Sequence, residues 1–194
     1  APSIEAKLFG VKTGMRFKEA QTLCPTLIGV SPHSSVYRKY HVGVMDVLRS
    51  YSQDVIPKSI DEAVVNLTAY KLVYPDMIKL AYQIKQDIKT KVGDWLKCSI
   101  GIAPNTFLAK LATNLQKPDG LVQINEHNID EVLSKLTLTD LPGIADRMSL
   151  RLMRAGIKTP FHMRHTSPEV LKKIMGGIVG YYWHYRLNFS EVDF

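Results

Sequence analysis

The sequence predicts an α+β multidomain chain, a mixed α/β layer followed by an all-helical module. Three observations carry that reading. Up to about residue 124, short β-branched stretches alternate with helical patterns in the order strand, helix, hairpin, helix, strand, helix, which is the order of a layer with helices on one face. From about Asn125 onward the pattern changes to short helices. With 45% hydrophobic residues over 194 positions the chain can bury a core, and no apolar run is long enough to span a bilayer.

Residues 1–32 are short and mixed. Phe9-Gly10-Val11 and Thr13-Gly14 read as turns. Arg16 to Leu23 predicts a short helix with Phe17, Ala20 and Leu23 on one face, stopped by Pro25. Leu27 to Val30 predicts a short strand. Ser34 or Ser35 then caps a long helix whose core stripe is Val36, Tyr40, Val44, Val47, Leu48 and Tyr51. The apolar pairs Val55-Ile56 and Val64-Val65, with Pro57 and Ser59 between them, predict two strands joined by a tight bend.

Pro75 suits the first turn of the next helix, with Met77, Leu80, Ala81, Ile84 and Ile88 inward, Lys79, Lys85, Lys89 and Lys91 solvated, and Gly93 at its end. Cys98 to Ala103 is a strand with Gly101 at a point of close approach. Asn105 caps a helix with Phe107, Leu108, Leu111, Ala112 and Leu115 inward, and with Lys110, Asn114 and Lys117 on the polar side. Lys117 to Gly120 turns the chain into a final strand, Leu121 to Ile124.

In the helical module, Ile129, Val132, Leu133 and Leu136 mark one helix. Leu141-Pro142-Gly143-Ile144 is a tight turn before a second, with Ala145, Met148 and Leu152 inward and Gly156 at its end. Ser167-Pro168 opens a third, with Val170, Leu171 and Ile174 inward, and residues 177–187 form the last.

The net charge is +7, spread over many segments rather than gathered in a tail. A basic surface attracts polyanions, nucleic acid first and an anionic membrane second. Cys24 and Cys98 form no CxxC pair and read as free thiols in a reducing compartment. The six histidines show no HExxH spacing, and the chain carries no Walker loop, no Rossmann glycine pattern and no visible Ser-His-Asp arrangement.

Two stretches carry candidate chemistry. In a regular strand Asp61 and Glu62 would point to opposite faces, but at a bend they converge. Paired hard oxygens suit Mg²⁺, which takes one or two carboxylates and leaves its other positions to water and phosphate. A solvated acidic turn has the same sequence. The Leu-Pro-Gly-Ile turn and the later Ala155-Gly156-Ile157 resemble a helix-hairpin-helix, in which glycine lets backbone N–H groups approach a phosphate. An ordinary helix–helix turn reads alike. Lys110 is a phosphate ligand or a solvated lysine.

Together these pieces resemble the Y-family lesion-bypass DNA polymerases, most closely their bacterial DNA polymerase IV-like branch. Ser59-Ile60-Asp61-Glu62-Ala63 is similar to the family's SIDEA signature. "CSIGIAPNTFLAKLATNLQKPDG" from Cys98 to Gly120 is similar to its SxGIAxNKxLAKxAxxxxKPxG. "EAKLFGVKTGM" at residues 5–15 resembles EARxFGVxxGM, and LPGI at 141–144 resembles the opening of its thumb.

The resemblance implies fingers at 1–32, a palm lacking its first strand at 33–124 and a helical thumb at 125–194. It implies that the first palm strand, with a further metal-binding Asp, precedes residue 1, and that a little-finger domain follows the thumb, so that the fragment alone is incomplete for catalysis. It also implies two-Mg²⁺ nucleotidyl transfer in translesion synthesis, from dNTP to a primer on template DNA. Asp61 and Glu62 would be the catalytic and metal-binding carboxylates, Lys7 and Lys110 nucleotide-binding, and Pro142, Gly143 and Ile144 DNA-binding. The protein would be a cytoplasmic, nucleoid-associated monomer that reaches a sliding clamp through other segments and has no membrane partner. Ile4, Lys7 and Thr106 stand where the family has Tyr, Arg and Lys. Lys7 keeps the charge without the planar fork that grips phosphate at two points. These departures motivate the rival expectation of a catalytically degenerate paralogue that binds DNA or a partner. A third expectation is a generic helix-hairpin-helix protein whose DNA binding resides in residues 125–194.

Overall fold

Caps and breakers set most element boundaries. In the computed structural model, which describes residues 1–192, the chain divides into two units, residues 1–39 and 40–194. The last two residues of the 125–194 region therefore lie outside the described residues.

In the first unit, Ser3 opens α1 (Ile4–Leu8), its hydroxyl accepting from the Ala6 N–H at 3.2 Å. Helix α2 (Phe17–Leu23) follows, and Ala6, Val11, Ala20 and Cys24 form a small core. Two expectations are corrected here. Phe17 and Leu23 stay exposed, because a seven-residue helix on so small a core buries only Ala20. Leu27 to Val30 forms no strand, and Ile28 and Val30 are each 82% exposed, since β-branching alone makes no strand without a ladder partner.

Helix α3 (Ser34–Arg49) leads into the second unit. Met45, Val47 and Leu48 on α3 pack against Leu80, Ile84 and Ile88 on α4 (Met77–Lys91). The core stripe of α3 is therefore confined to its C-terminal half, and Val36 and Tyr40 are exposed. Asp76 caps α4 by accepting from the Lys79 N–H at 2.9 Å, which leaves Pro75 just outside the helix. Tyr51 Oη donates to Asp87 Oδ2 at 2.8 Å and ties α3 to α4. Burial first, and the neighbouring carboxylate second, push the Tyr51 phenol up to about 12.

Strands β1 (Val55–Pro57) and β2 (Ala63–Val65) form the expected antiparallel hairpin, with Ile56 opposite Val64. Strands β3 (Ile100–Ile102) and β4 (Leu121–Gln123) pair in parallel, Gly101 opposite Val122. A parallel pair needs a crossover, and α5 (Thr106–Leu115) supplies it. Asn105 caps α5 as the sequence predicts, accepting from the Leu108 N–H at 2.8 Å. Gly101 is where β3 meets α5. A Cβ there would lie 2.0 Å from the Ala109 carbonyl oxygen and 2.6 Å from the Thr113 nitrogen, so no larger residue fits.

Lys85 is the exception on the lysine face of α4. It is largely buried, pairs with Asp119 Oδ1 at 2.9 Å and donates to the Gly120 carbonyl at 3.3 Å, clamping the turn before β4. The sequence could not show this, because the partner lies 34 residues away.

Between residues 125 and 192 the described elements are helical: α6 (Ile129–Ser134), α7 (Asp146–Arg154), α8 (Pro160–Arg164), α9 (Pro168–Met175) and α10 (Val179–Leu187), with a single 3-10 turn at Leu138–Asp140. Their core is continuous with the inner face of α5. Leu108 and Leu111 share one cluster with Leu133, Leu152, Met163, Leu171 and Leu187. Each such fully buried side chain contributes roughly 1.5–3 kcal/mol. The expected change near residue 124 is thus a change from strands to helices, while the buried side chains of α5 belong to the helical core and not to the one shared by α3 and α4. Ala145 and Val170 are exposed rather than inward, because Ile144 and Leu171 beside them take the buried positions. The helix expected around His162 and His165 is α8, and Thr159-Pro160 opens it with the same cap-then-proline signal as Ser167-Pro168.

Candidate active site

The hairpin turn places the paired carboxylates. The N–H groups of Lys58 and Ser59 both donate to the Glu62 carbonyl, at 2.8 and 3.1 Å, and close the bend. Inside it, the Ser59 hydroxyl donates to Asp61 Oδ1 at 2.6 Å and accepts from the Asp61 N–H at 3.3 Å. This is local side-chain to backbone bonding of the kind that makes Ser and Asp good turn residues. It gives the Asp61 carboxylate a fixed partner while leaving the residue exposed.

Two helices reach this turn. From α3, His41 Nδ1 lies 2.9 Å from the Ile60 carbonyl oxygen. From α5, the Lys110 ammonium sits on Glu62 Oε1. The two side chains of that ion pair are 38% and 45% exposed, so water and ions reach it. Lys110 is therefore not a plain solvated lysine. Gly101 explains its position: only glycine lets α5 lie so close on β3, which sets where Lys110 projects.

The structure thus brings together three of the predicted site residues, Asp61, Glu62 and Lys110. Lys7 is exposed on α1 and belongs to the other unit. Pro142, Gly143 and Ile144 form a separate turn, ahead of α7. Gly143 has φ +98°, a conformation that favours glycine, and the Ile144 N–H donates to the Leu141 carbonyl at 3.0 Å. Leu141 and Ile144 are 1% and 4% exposed. They anchor the turn from below, while Gly143 stays at the surface.

Sequence reasoning missed His41. The only signal was its place one turn before Met45 on a helix that precedes the signature. Two further groupings emerge only in three dimensions. Arg164 Nη1 and His165 Nε2 meet Asp130 Oδ1 at 2.7 and 3.2 Å. Thr106, the departure in the second motif, donates through its N–H and hydroxyl to Glu191 Oε2 at 2.8 and 2.7 Å. Cys24 and Cys98 are free thiols, and burial pushes the Cys98 thiol up. Among the described residues no helix is long and apolar enough to cross a membrane.

Known proteins resemble this chain in sequence and fold. The family model described as impB/mucB/samB matches residues 1–114. A DNA polymerase IV of Pelotomaculum thermopropionicum is 35% identical over 194 residues, covering 100% of this chain and 47% of that protein. A DNA polymerase IV of Clostridioides difficile is 37% identical over 162 residues, 84% of this chain and 44% of that protein. Among solved structures, an insertion ternary complex of Dbh DNA polymerase superposes with a TM-score of 0.86 at 28% identity, covering 98% of this chain and 56% of that one. A DinB crystal structure from Sulfolobus solfataricus superposes with a TM-score of 0.78 at 29% identity, covering 95% and 54%. The chain spans about half the length of the relatives it matches. Its fold and its ordered motifs are of the Y-family DNA polymerase kind. The chain belongs to the impB/mucB/samB family.

Proposed function

We propose that the protein from which this chain is drawn is a DNA-templated DNA polymerase of the translesion type, and that Asp61, Glu62 and Lys110 form its nucleotidyl-transfer centre. The observation that carries this reading is the meeting of Lys110 on α5 with Glu62 on the hairpin, beside Asp61. Residues from two separate motifs converge on one exposed spot, as binding a charged substrate requires.

The donor set fits magnesium. Asp61 and Glu62 offer hard carboxylate oxygens in the number Mg²⁺ takes from protein, and Glu62 already accepts a cation, the Lys110 ammonium. Within this chain we assign the metal to this pair of carboxylates. Bound there, two such ions would activate the primer 3′-hydroxyl and neutralise the triphosphate and the departing pyrophosphate. Ser59 orients Asp61 for that task. Lys110 supplies a positive charge that exchanges between Glu62 and a triphosphate oxygen. Lys7 is assigned to nucleotide binding on its place in the EAKLFGVKTGM motif alone.

In this reading residues 1–32 are fingers, 33–124 palm and 125–194 thumb. The family's first palm strand, with its further Asp, completes the centre. The Pro142-Gly143-Ile144 turn binds the DNA backbone through the Gly143 N–H, since Pro142 has none and the Ile144 N–H is bonded to the Leu141 carbonyl, and so fixes register without reading sequence. The protein works as a cytoplasmic, nucleoid-associated monomer and reaches a sliding clamp through segments outside this chain.

The test is Mg²⁺-dependent primer extension on a primed template by the whole protein. Incorporation that Asp61→Asn removes is the expected result. A folded protein that binds DNA and extends nothing would instead establish the degenerate paralogue.

A further inference from the structure

We infer that His41 is a positioning residue for the carboxylate turn, holding the Ile60 carbonyl so that Asp61 and Glu62 are presented together. The inference rests on the metal-binding reading of Asp61 and Glu62. A carbonyl oxygen only accepts, so at 2.9 Å the Nδ1 of His41 must carry the proton and donate it to Ile60.

Helical spacing explains why this imidazole is well placed. His41, Met45 and Leu48 lie at i, i+4 and i+7 on one face of α3. Met45 and Leu48 are buried in the core that α3 shares with α4. Val55, Ala63 and Val65, the inward residues of the hairpin, pack on that same core. The ring of His41 therefore lies one turn beyond Met45 on the same face of α3, within reach of the Ile60 carbonyl. The ring is half-buried, and its helix is fixed by packing.

The turn has no comparable restraint of its own. Its strands are only three residues long, and Ile60 at its tip is 53% exposed. The bonds inside the bend fix its local shape but not its attitude to the rest of the unit. Core packing of Val55, Ala63 and Val65 anchors the base of the hairpin, and at its turn two bonds from the helices do that, His41 to Ile60 and Lys110 to Glu62. The second is surrendered when Lys110 turns to a triphosphate, which leaves His41 as the tether while substrate is bound. Removing a hydrogen-bonding group that holds metal-binding residues in place typically changes metal affinity or activity by about 10- to 100-fold.

The experiment is a Mn²⁺ titration followed by electron paramagnetic resonance on wild type, His41→Leu, His41→Asn and Asp61→Asn. His41→Leu removes the donor and keeps the bulk. It is expected to weaken Mn²⁺ binding on the order of 10-fold. His41→Asn keeps an N–H near the same place and is expected to restore binding. Equal affinity in wild type and His41→Leu overturns the inference, as does His41→Asn binding as weakly as His41→Leu. If Asp61→Asn leaves Mn²⁺ binding unchanged, the metal reading itself falls, and this inference with it. Wild type gives a reading that no folding defect can disturb. The ¹⁵N shifts of His41 must show a protonated Nδ1 at neutral pH, and a bare Nδ1 overturns the assignment.

Discussion

Two tight turns carry the chemistry proposed for this chain, and they are built in opposite ways. The turn at 58–62 is polar and exposed, held by Ser59 within it and by His41 and Lys110 from two helices. The turn at 141–144 is held by apolar burial, with Leu141 and Ile144 sunk into the helical core and Gly143 left at the surface. The first presents side-chain charge and the second presents backbone. A site that works through side chains can lose its function and keep its fold. A site that works through backbone geometry cannot, because the residues that shape it are the ones that stabilise it.

That contrast yields a graded set of outcomes. Asp61→Asn should lower primer extension roughly a thousandfold, the scale of losing a preorganised electrostatic group, while urea unfolding stays at the wild-type midpoint. A shifted midpoint would show that the carboxylate turn also stabilises. Leu141→Ala should cost about 2–5 kcal/mol of stability, as large-to-small changes at fully buried sites do. A variant that stays as stable as wild type but no longer binds DNA would erase the distinction between the two turns.

Gly143→Ala should cost roughly 1–2 kcal/mol, because its φ of +98° is strained for any Cβ. The added methyl itself meets only the Trp183 ring at 3.6 Å, an ordinary contact, so the loss is one of backbone conformation. Duplex binding should weaken alongside, read by fluorescence anisotropy. Lys110→Ala should change stability by no more than about 1 kcal/mol, since the pair with Glu62 is exposed to water. Its effect belongs to catalysis, as a raised apparent KM for dNTP. An unchanged KM would leave Lys110 as a partner of Glu62 only.

The sequence was legible wherever a local rule decided the structure. The hairpin, α4 and α5 follow from β-branched pairs, from helical periodicity and from Asn105 as a cap. The close approach at Gly101 was readable from a glycine inside a strand pattern. What failed depended on partners distant in sequence. Leu27 to Val30 has strand composition, yet composition supplies no neighbouring strand. Lys85 sits among solvated lysines by periodicity, but Asp119 draws it inward. The site divides in the same way. Asp61, Glu62 and Lys110 were readable as motif residues, whereas the Lys110–Glu62 pair and the His41 tether join positions 48 and 19 residues apart. No spacing rule reaches that far.

The most direct test of the central claim is single-nucleotide incorporation on a primed template by the whole protein with Mg²⁺, run beside Asp61→Asn under identical conditions. The account predicts template-directed incorporation that disappears in Asp61→Asn while its circular dichroism and DNA affinity match wild type. Incorporation that persists undiminished in Asp61→Asn would contradict it, because the turn around which the site is built would then be only an acidic bend.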